Sequence, residues 1–320
     1  MTTVRHPGRV PRAVIVVGAS RSGTSVVAHG LETLGVDLGA RLRHPSWRNP
    51  RGFFEDRALL NLSARLRRTL GLGPHSVSLI DPERWNDPRL SPLKRQAMAL
   101  LREGFDGRAL WGFKDGRTLR LLPFWRDVFD RLDLDVRYVL VIRNPLSVAA
   151  SRLRIESGKP VSRRFTPELL WLVYVVPYFR CLAERPLVVV DYDRMMARPV
   201  HELARIAAGL GLAFPGADAA PVRAFADEFL SSSLRHSEYD DNDLVRRARF
   251  PAITLGAYRW LRRLATDDAT PDDRALDDDW RRYESVLQGM ADDLRRIDAR
   301  NRALRGVRIN PGAILRRLAG

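Results

Sequence analysis

With 320 residues, 45% of them hydrophobic, the chain is long enough to bury a substantial core and too apolar for wholesale disorder. Its 54 basic against 38 acidic side chains give a formal charge of +16, a field that attracts phosphate, sulfate, nucleic acid or acidic membrane. The single cysteine, Cys181, excludes an intrachain disulfide and a cysteine-rich zinc site, and suits a reduced cytoplasm.

Residues 1–12 read as an N-terminal extension. Its basic start, followed by Ala13-Val14-Ile15-Val16-Val17, faintly resembles a signal peptide, but the apolar part is short and runs into a glycine-rich turn, which suits a first strand. Further apolar, β-branched runs follow at 136–142 and 187–190, with a weaker one at 110–113. Their unbroken hydrophobicity suggests strands buried on both faces, as in a parallel sheet. Helical patterns lie between and after them at 25–34, 57–70, 92–103, 119–132, 146–154, 167–183, 201–210 and 221–229. Strand alternating with helix predicts an α/β domain over 13–250, a P-loop-like three-layer sandwich whose mostly parallel central sheet carries helices on both faces. The longest apolar run, 169–179, is too short to cross a bilayer, and Trp171, Tyr174 and Tyr178 within it are spaced as a core stripe.

Residues 251–320 read as a helical, arginine-rich extension. Stretch 267–279 holds seven Asp and one Arg, 280–300 reads as a charged amphipathic helix, and 300–320 holds six Arg and no acid. That tail is a candidate surface for anionic lipid or polymer.

Ligands of doubly wound sheets gather where strands lead into helices, so those turns carry the functional reading. After the first strand comes Gly18-Ala19-Ser20-Arg21-Ser22-Gly23-Thr24-Ser25. Glycines permit the turn, the helix N-terminus aims free N–H groups at an anion, and Arg21 adds a charge that forks onto its oxygens. The spacing approaches G-x-x-x-x-G-K-[ST], but Thr24 stands where an NTPase needs its lysine. A second anion site is suggested by Arg143 at a strand tip, Pro145 in the turn, and Ser151 two helical turns on, within reach of one phosphate. A third strand ends in Lys114. In a chain with 51 Arg and only three Lys, a compact ammonium at such a tip suits a small bridging oxygen better than a planar guanidinium.

These stretches resemble the sulfotransferases that use 3′-phosphoadenosine-5′-phosphosulfate (PAPS), in particular the bacterial type, and the resemblance runs from about residue 14 to 236. It implies that Ser20, Arg21, Ser22, Gly23, Thr24 and Ser25 cradle the 5′-phosphosulfate, and that Arg143 and Ser151 bind the 3′-phosphate. Lys114-Asp115-Gly116-Arg117 is similar to a Lys-Asp-Pro-Arg stretch of the family whose Lys contacts the sulfonate, here with Gly116 in place of Pro. Gly52-Phe53-Phe54-Glu55 is similar to a segment that supplies the active-site carboxylate. The implied activity is direct in-line transfer from PAPS to an acceptor hydroxyl, with no metal. Glu55 is the first choice of base, then Asp56, then His44, while Arg21 and Lys114 stabilise the developing charge. Glu55 and Asp56 could equally be N-terminal charges of the helix that starts at Arg57. Asp191-Tyr192-Asp193 and the helix after it match a mostly structural part of the pattern. Ser233-Leu234-Arg235-His236 resembles a basic segment that closes over the nucleotide, or is a solvated turn.

The acceptor implied is a carbohydrate, a glycolipid or a small natural product, with no nucleic acid partner and a cytoplasmic or membrane-peripheral location. Two other readings stay open. One is a P-loop kinase or NTPase; the other is a basic module for nucleic acid or a membrane surface, driven by charge alone. His29, His75 and His201 lack the spacing of metal ligands.

Overall fold

Four strands, each covered on both faces, explain the unbroken apolar runs. The computed structural model describes residues 11–46, 49, 51–156, 167–230, 239–248 and 251–306. Strand β1 (Arg12–Val17) leads to helix α1 (Thr24–Glu32), α2 (Arg57–Thr69) and α3 (Leu90–Phe105). Strand β2 (Leu110–Lys114) is followed by α4 (Leu122–Arg131), and β3 (Asp135–Ile142) by α5 (Pro145–Glu156), α6 (Pro167–Val175) and α7 (Phe179–Ala183). After β4 (Leu187–Asp191) come α8 (Tyr192–Ala197), α9 (Pro199–Gly209), α10 (Ala220–Arg223), α11 (Asp241–Arg247), α12 (Pro251–Ala265), α13 (Arg274–Gly289) and α14 (Ala291–Gly306).

All four strands are parallel, in the order β2-β1-β3-β4. Side chains alternate across the sheet. Val14, Val16, Val139 and Val141 face α1 and α9 through Val27, Leu31, Leu203 and Ile206. Ala13, Ile15, Phe113, Tyr138 and Leu140 face the other way, onto α2, α3, α4 and α6. The result is the expected α/β sandwich, helices on both sides of a parallel sheet. Because the chain places β2 on one side of β1 and β3 on the other, a crevice opens at the carboxyl ends of these three strands.

Three helices differ from the periodic pattern, each for a local reason. The pattern at 119–132 splits into a 3-10 turn, Thr118–Leu121, and α4, whose second residue is Pro123. Proline lacks an N–H and suits a first turn, so the regular helix restarts there. Pro177 breaks the 167–183 pattern in the same way, leaving a 3-10 turn at Val176–Tyr178. The amphipathic stretch at 280–300 is divided at Met290 between α13 and α14.

The segment after residue 250 shares the core of the preceding domain. Helix α12 lies against β4, and Ile253, Ala257, Leu261, Trp280 and Leu294 join the apolar cluster on that face of the sheet. Trp280 is fully buried, lies 4.2 Å from Phe179 between ring centroids, and donates from Nε1 to the Val176 carbonyl at 2.9 Å. Two aspartates of the acidic stretch pair with arginines of the preceding domain: Asp267 with Arg205 at 3.1 Å and Asp277 with Arg180 at 2.9 Å. Residues 1–10, 233–236 and the end of the arginine-rich tail from 307 lie outside the described residues. Among those described, no helix is long and apolar enough to cross a membrane.

Deleting the Trp280 side chain removes a buried aromatic and orphans the Val176 carbonyl, a combination worth about 3–5 kcal/mol. Trp280→Ala is therefore expected to lower the thermal midpoint by several degrees. Circular dichroism should still show one transition, since α13 shares a core with the sheet; two separated transitions would show that it folds on its own.

Candidate anion-binding active site

A cavity of about 420 Å³ opens at the carboxyl ends of β1, β2 and β3. Eight cations line it among the described residues, against two carboxylates, Glu55 and Asp115. Such a surplus in one crevice attracts an anion strongly, because low-dielectric walls focus the field.

The loop of residues 18–25 forms the centre. Gly18 approaches the Val141 carbonyl so closely that a Cβ would overlap it. Gly23, at φ +92°, caps α1 with its backbone directly over the Tyr192 ring, where a Cβ would also clash. Helix α1 begins at Thr24; the amides of Val26 and Val27 donate to the Gly23 carbonyl at 2.9 and 3.2 Å, which leaves those of Thr24 and Ser25 at the helix start for an anion. Arg21 adopts φ +82°, uncommon for a residue with a side chain. That turn carries its guanidinium to Ser151, with Nε donating to Oγ at 3.2 Å. Burial and the like charge of Arg143 both lower the pKa of Arg21, so an anion between them relieves both.

Of the residues expected in the loop, Ser20, Arg21, Gly23, Thr24 and Ser25 line the cavity. Ser22 is not among the lining residues: it is wholly buried, its amide donates to the Ala19 carbonyl at 3.0 Å, and its Oγ has no partner among the described residues. Arg143 and Ser151 line the same cavity as the loop. The Arg143 guanidinium lies over the Tyr192 ring, 4.6 Å from its centroid, so one tyrosine supports Arg143 while its ring packs against Gly23.

At the β2 tip, the buried Lys114 ammonium donates to Glu55 Oε1 at 2.8 Å, to the Phe53 carbonyl at 3.0 Å and to Ser25 Oγ at 3.2 Å. Ser25 Oγ also accepts from Asn49 Nδ2 at 3.1 Å and donates to the Phe53 carbonyl at 3.3 Å. Phe53 and Glu55 reach the same ammonium because Phe54 between them sits at φ +52°, a left-handed turn held by its ring stacking on His29 at 5.0 Å. Arg43, whose guanidinium covers the Phe53 ring at 3.8 Å, stands 3.6 Å from Glu55 Oε2. The other two candidate bases lie elsewhere. Asp56 caps α2, with Oδ1 accepting from the amides of Ala58 and Leu59 and Oδ2 from Arg41 Nε at 3.1 Å. His44 is exposed and outside the cavity.

Beyond Lys114, Gly116 has open contact with the 18–25 loop, its side-chain position lying 3.7 Å from Ser20 Oγ. Asp115 is buried and holds Arg117, accepting at Oδ1 from its amide at 3.0 Å and its Nη1 at 3.2 Å. Burial pushes the Asp115 carboxyl above the usual carboxylate range against the pull of Arg117, and neighbouring Glu55 adds to the rise. No group of three or more His, Cys, Asp or Glu is arranged to hold a metal ion among the described residues.

Sequence reasoning missed Arg43, Arg51, Arg67 and Arg152, and quoted Arg117 and Tyr192 within motifs without giving either a part in the site. Tyr192 follows directly on the β4 tip, a position that could have marked it. Residues 42–54 have no periodicity from which to read where Arg43 and Arg51 point.

No protein family and no curated protein matches the chain by sequence. Among solved structures it is similar to the sulfotransferase domain of the Synechococcus PCC 7002 olefin synthase, at 17% identity over 81% of this chain and 98% of that one, with a TM-score of 0.41. It is also similar to sulfotransferase STF1 from Mycobacterium tuberculosis H37Rv, at 17% identity over 75% and 77% of the two chains and a TM-score of 0.44. A third is retinol dehydratase, solved with androsterone and the inactive cofactor PAP, at 16% identity over 92% and 81% and a TM-score of 0.36. Likeness at this level carries no functional weight of its own, and the site has to speak through its geometry.

The wall that carries Pro74 and His75 is braced from the far end of the chain. Asp298 of α14 accepts from the amides of Val77 and Ser78, both at 2.9 Å, and from the hydroxyls of Ser76 and Ser78. Burial pushes this carboxyl up, but the four hydrogen bonds prevail and hold its pKa below the usual 3.8. The stabilisation is therefore present above pH 3.8 and fades as pH falls through the lower folded value. Asp298→Ala should cost about 2–4 kcal/mol at pH 7, measured by chemical denaturation, because several buried donors lose their acceptor. The difference from the parent protein should shrink below pH 3.8; a difference that grew there would reject the assignment.

Proposed function

We propose that the cavity binds PAPS and that the protein transfers its sulfuryl group to the hydroxyl of a small-molecule or carbohydrate acceptor. One observation carries the reading. Two cation-and-hydroxyl anion sites, at the tips of adjacent strands β1 and β3, are joined by the Arg21–Ser151 hydrogen bond, and a lysine–glutamate pair stands at the next tip, β2. Adjacent parallel strands are about 4.8 Å apart, so the three tips span about 10 Å of one crevice. The residues fit the donor in kind: free amides and Arg21 for one phosphate, Arg143 and Ser151 for a second, and glycine wherever the backbone must come close.

When bound, the donor supplies a sulfuryl group on a phosphate leaving group, so that one sulfur–oxygen bond forms to the acceptor as another breaks. The chain then has to hold the anions, take one proton and offset negative charge. Glu55 is the proposed base. Its Oε1 is engaged by Lys114, while Oε2, which among the described residues has Arg43 alone, at 3.6 Å, is the oxygen to receive the hydroxyl proton. Arg21 and Lys114 stabilise the charge that moves onto the sulfuryl and leaving oxygens. Among the alternatives, a kinase or NTPase would draw on carboxylates at the strand tips for Mg²⁺. Here Asp191 caps α8 through the amides of Asp193 and Arg194, and Asp115 holds Arg117. Neither presents the cavity with an uncommitted pair.

Adenosine 3′,5′-bisphosphate should raise the thermal midpoint in a saturable way, and ATP with Mg²⁺ should not. Arg143→Ala should weaken bisphosphate binding about tenfold to a hundredfold, the worth of a charged hydrogen bond in a buried setting. Glu55→Gln, which keeps an acceptor for Lys114, should leave that binding within about threefold and lower sulfuryl transfer about 10²- to 10⁴-fold. No thermal shift with the bisphosphate at millimolar concentration would sink the donor assignment; full turnover in Glu55→Gln would sink the base.

A further inference from the structure

The cavity has a second cationic group that the donor does not use. Arg143 and Arg154 are the cations that bear on Arg21 at the donor end. A second cluster consists of Arg67 on α2, Arg117 after β2, and Arg120 behind them. Arg120 is buried and fixed, its two terminal nitrogens donating to the carbonyls of Ser76 and Ser78 and its guanidinium 5.6 Å from the Tyr174 ring centroid. Arg67 and Arg117 both line the cavity.

Their counter-charge is incomplete. Among the described residues the carboxylate that bears on Arg67 is Asp115; its Oδ1 serves the amide and guanidinium of Arg117, and its buried Oδ2 makes no hydrogen bond to Arg67 or any other described residue. Arg67 Nε is buried with no hydrogen-bond partner among the described residues. Burial, then the like charges of Arg117 and Arg120, lower the Arg67 pKa. Arginines that only build the fold look different: Arg194 and Arg205 both close on the buried Glu202, at 3.0 and 3.1 Å. Arg67 as a whole is partly exposed, but its buried Nε–H without an acceptor is costly, and an anionic oxygen in the cavity would supply one.

We infer that Arg67 and Arg117 form an anion subsite on the acceptor side of the cavity, so that the acceptor is itself an anionic alcohol, bearing a carboxylate or a sulfate or phosphate ester beside the hydroxyl that reacts. The role as acceptor subsite rests on the sulfuryl-transfer reading; the presence of a second anion site does not. Its position follows from the β2 tip: Asp115, which accepts from Arg117 Nη1 at 3.2 Å, directly follows Lys114, whose ammonium holds the proposed base Glu55 at 2.8 Å. A neutral acceptor would give Arg67 Nε no anionic partner, whereas an anionic one offers the guanidinium a two-pronged contact.

The test uses the full chain saturated with adenosine 3′,5′-bisphosphate and titrated calorimetrically with sodium sulfate, against sodium chloride of equal ionic strength. Saturable sulfate binding is expected, at least tenfold weaker in Arg67→Gln/Arg117→Gln and partly restored in Arg67→Lys/Arg117→Lys. Unchanged bisphosphate affinity and thermal midpoint would show that the variants fold. A parallel titration with sodium glucuronate separates the sources: tighter glucuronate binding assigns a carboxylate, tighter sulfate an ester. No saturable binding of either anion, or binding that is indifferent to the double substitution, overturns the subsite. Should the bisphosphate fail to bind at all, sulfate titration of Arg143→Ala/Ser151→Ala without nucleotide still decides: binding sensitive to Arg67 and Arg117 keeps the anion site though the donor reading falls, and insensitive binding removes both.

Discussion

Mutual repulsion among cations is the constraint around which the rest of this structure is arranged. Two like charges 4 Å apart cost about 4 kcal/mol at the effective dielectric near a protein surface, and eight line one cavity here. Left to themselves such side chains would splay into water. Several are instead anchored: Arg21 by a left-handed backbone and Ser151, Arg143 by the face of Tyr192, Lys114 by Glu55, and Arg117 by Asp115. The fold thereby stores electrostatic energy that an anionic ligand releases on binding. Positions and charges exist before the ligand arrives, which is the preorganisation that makes such a site effective.

That arrangement depends on the sheet order. With β1 between β2 and β3, three tips face one crevice, and each contributes a different group: amides and Arg21, the Lys114–Glu55 pair, and Arg143. The helices after residue 250 belong to the same arrangement. Asp298 ties α14 to Ser76 and Ser78, and the carbonyls of those serines hold Arg120 under the Tyr174 ring. A chain of hydrogen bonds thus runs from the last described helix to a wall of the cavity. Removing that helix would free the Arg120 guanidinium to move, and the charge it lends to Arg67 and Arg117 would move with it.

What was legible in the sequence was local. The four strands could be found because burial on both faces leaves unbroken apolar runs, and the tight turn after β1 because only glycine tolerates the approaches made at Gly18 and Gly23. The α/β sandwich followed from strand and helix alternating along the chain. What escaped depends on distance in sequence or on a single backbone angle. Nothing near Asp298 announces that it caps Ser76 and Ser78, more than two hundred residues away. Nothing in Gly52-Phe53-Phe54-Glu55 announces that Phe54 turns left-handed and thereby brings a carbonyl and a carboxylate to one ammonium. Ser22 is instructive in the other direction. It belongs to the motif by position, yet its side chain points away from the cavity that the motif builds.

Lys114 shows why residue type mattered more than charge. An ammonium has three donors in a tetrahedral spread, and each is used: Glu55 Oε1 at 2.8 Å, the Phe53 carbonyl at 3.0 Å and Ser25 Oγ at 3.2 Å. A guanidinium, planar and larger, could not reach three acceptors that converge on one point, which is why a chain so biased to arginine keeps a lysine there. The same geometry limits how Lys114 can act in the proposed transfer. With no donor to spare, it has to release one contact to meet a sulfuryl oxygen, and the bond to Ser25 is the longest of the three and leads into the phosphate loop. Ser25 would keep its hydrogen bonds with Asn49 and Phe53 when Lys114 leaves, so the exchange strands no polar group. On the proposed mechanism, the lysine that pairs with Glu55 is thereby also the group placed to follow charge from an acceptor oxygen toward a leaving phosphate.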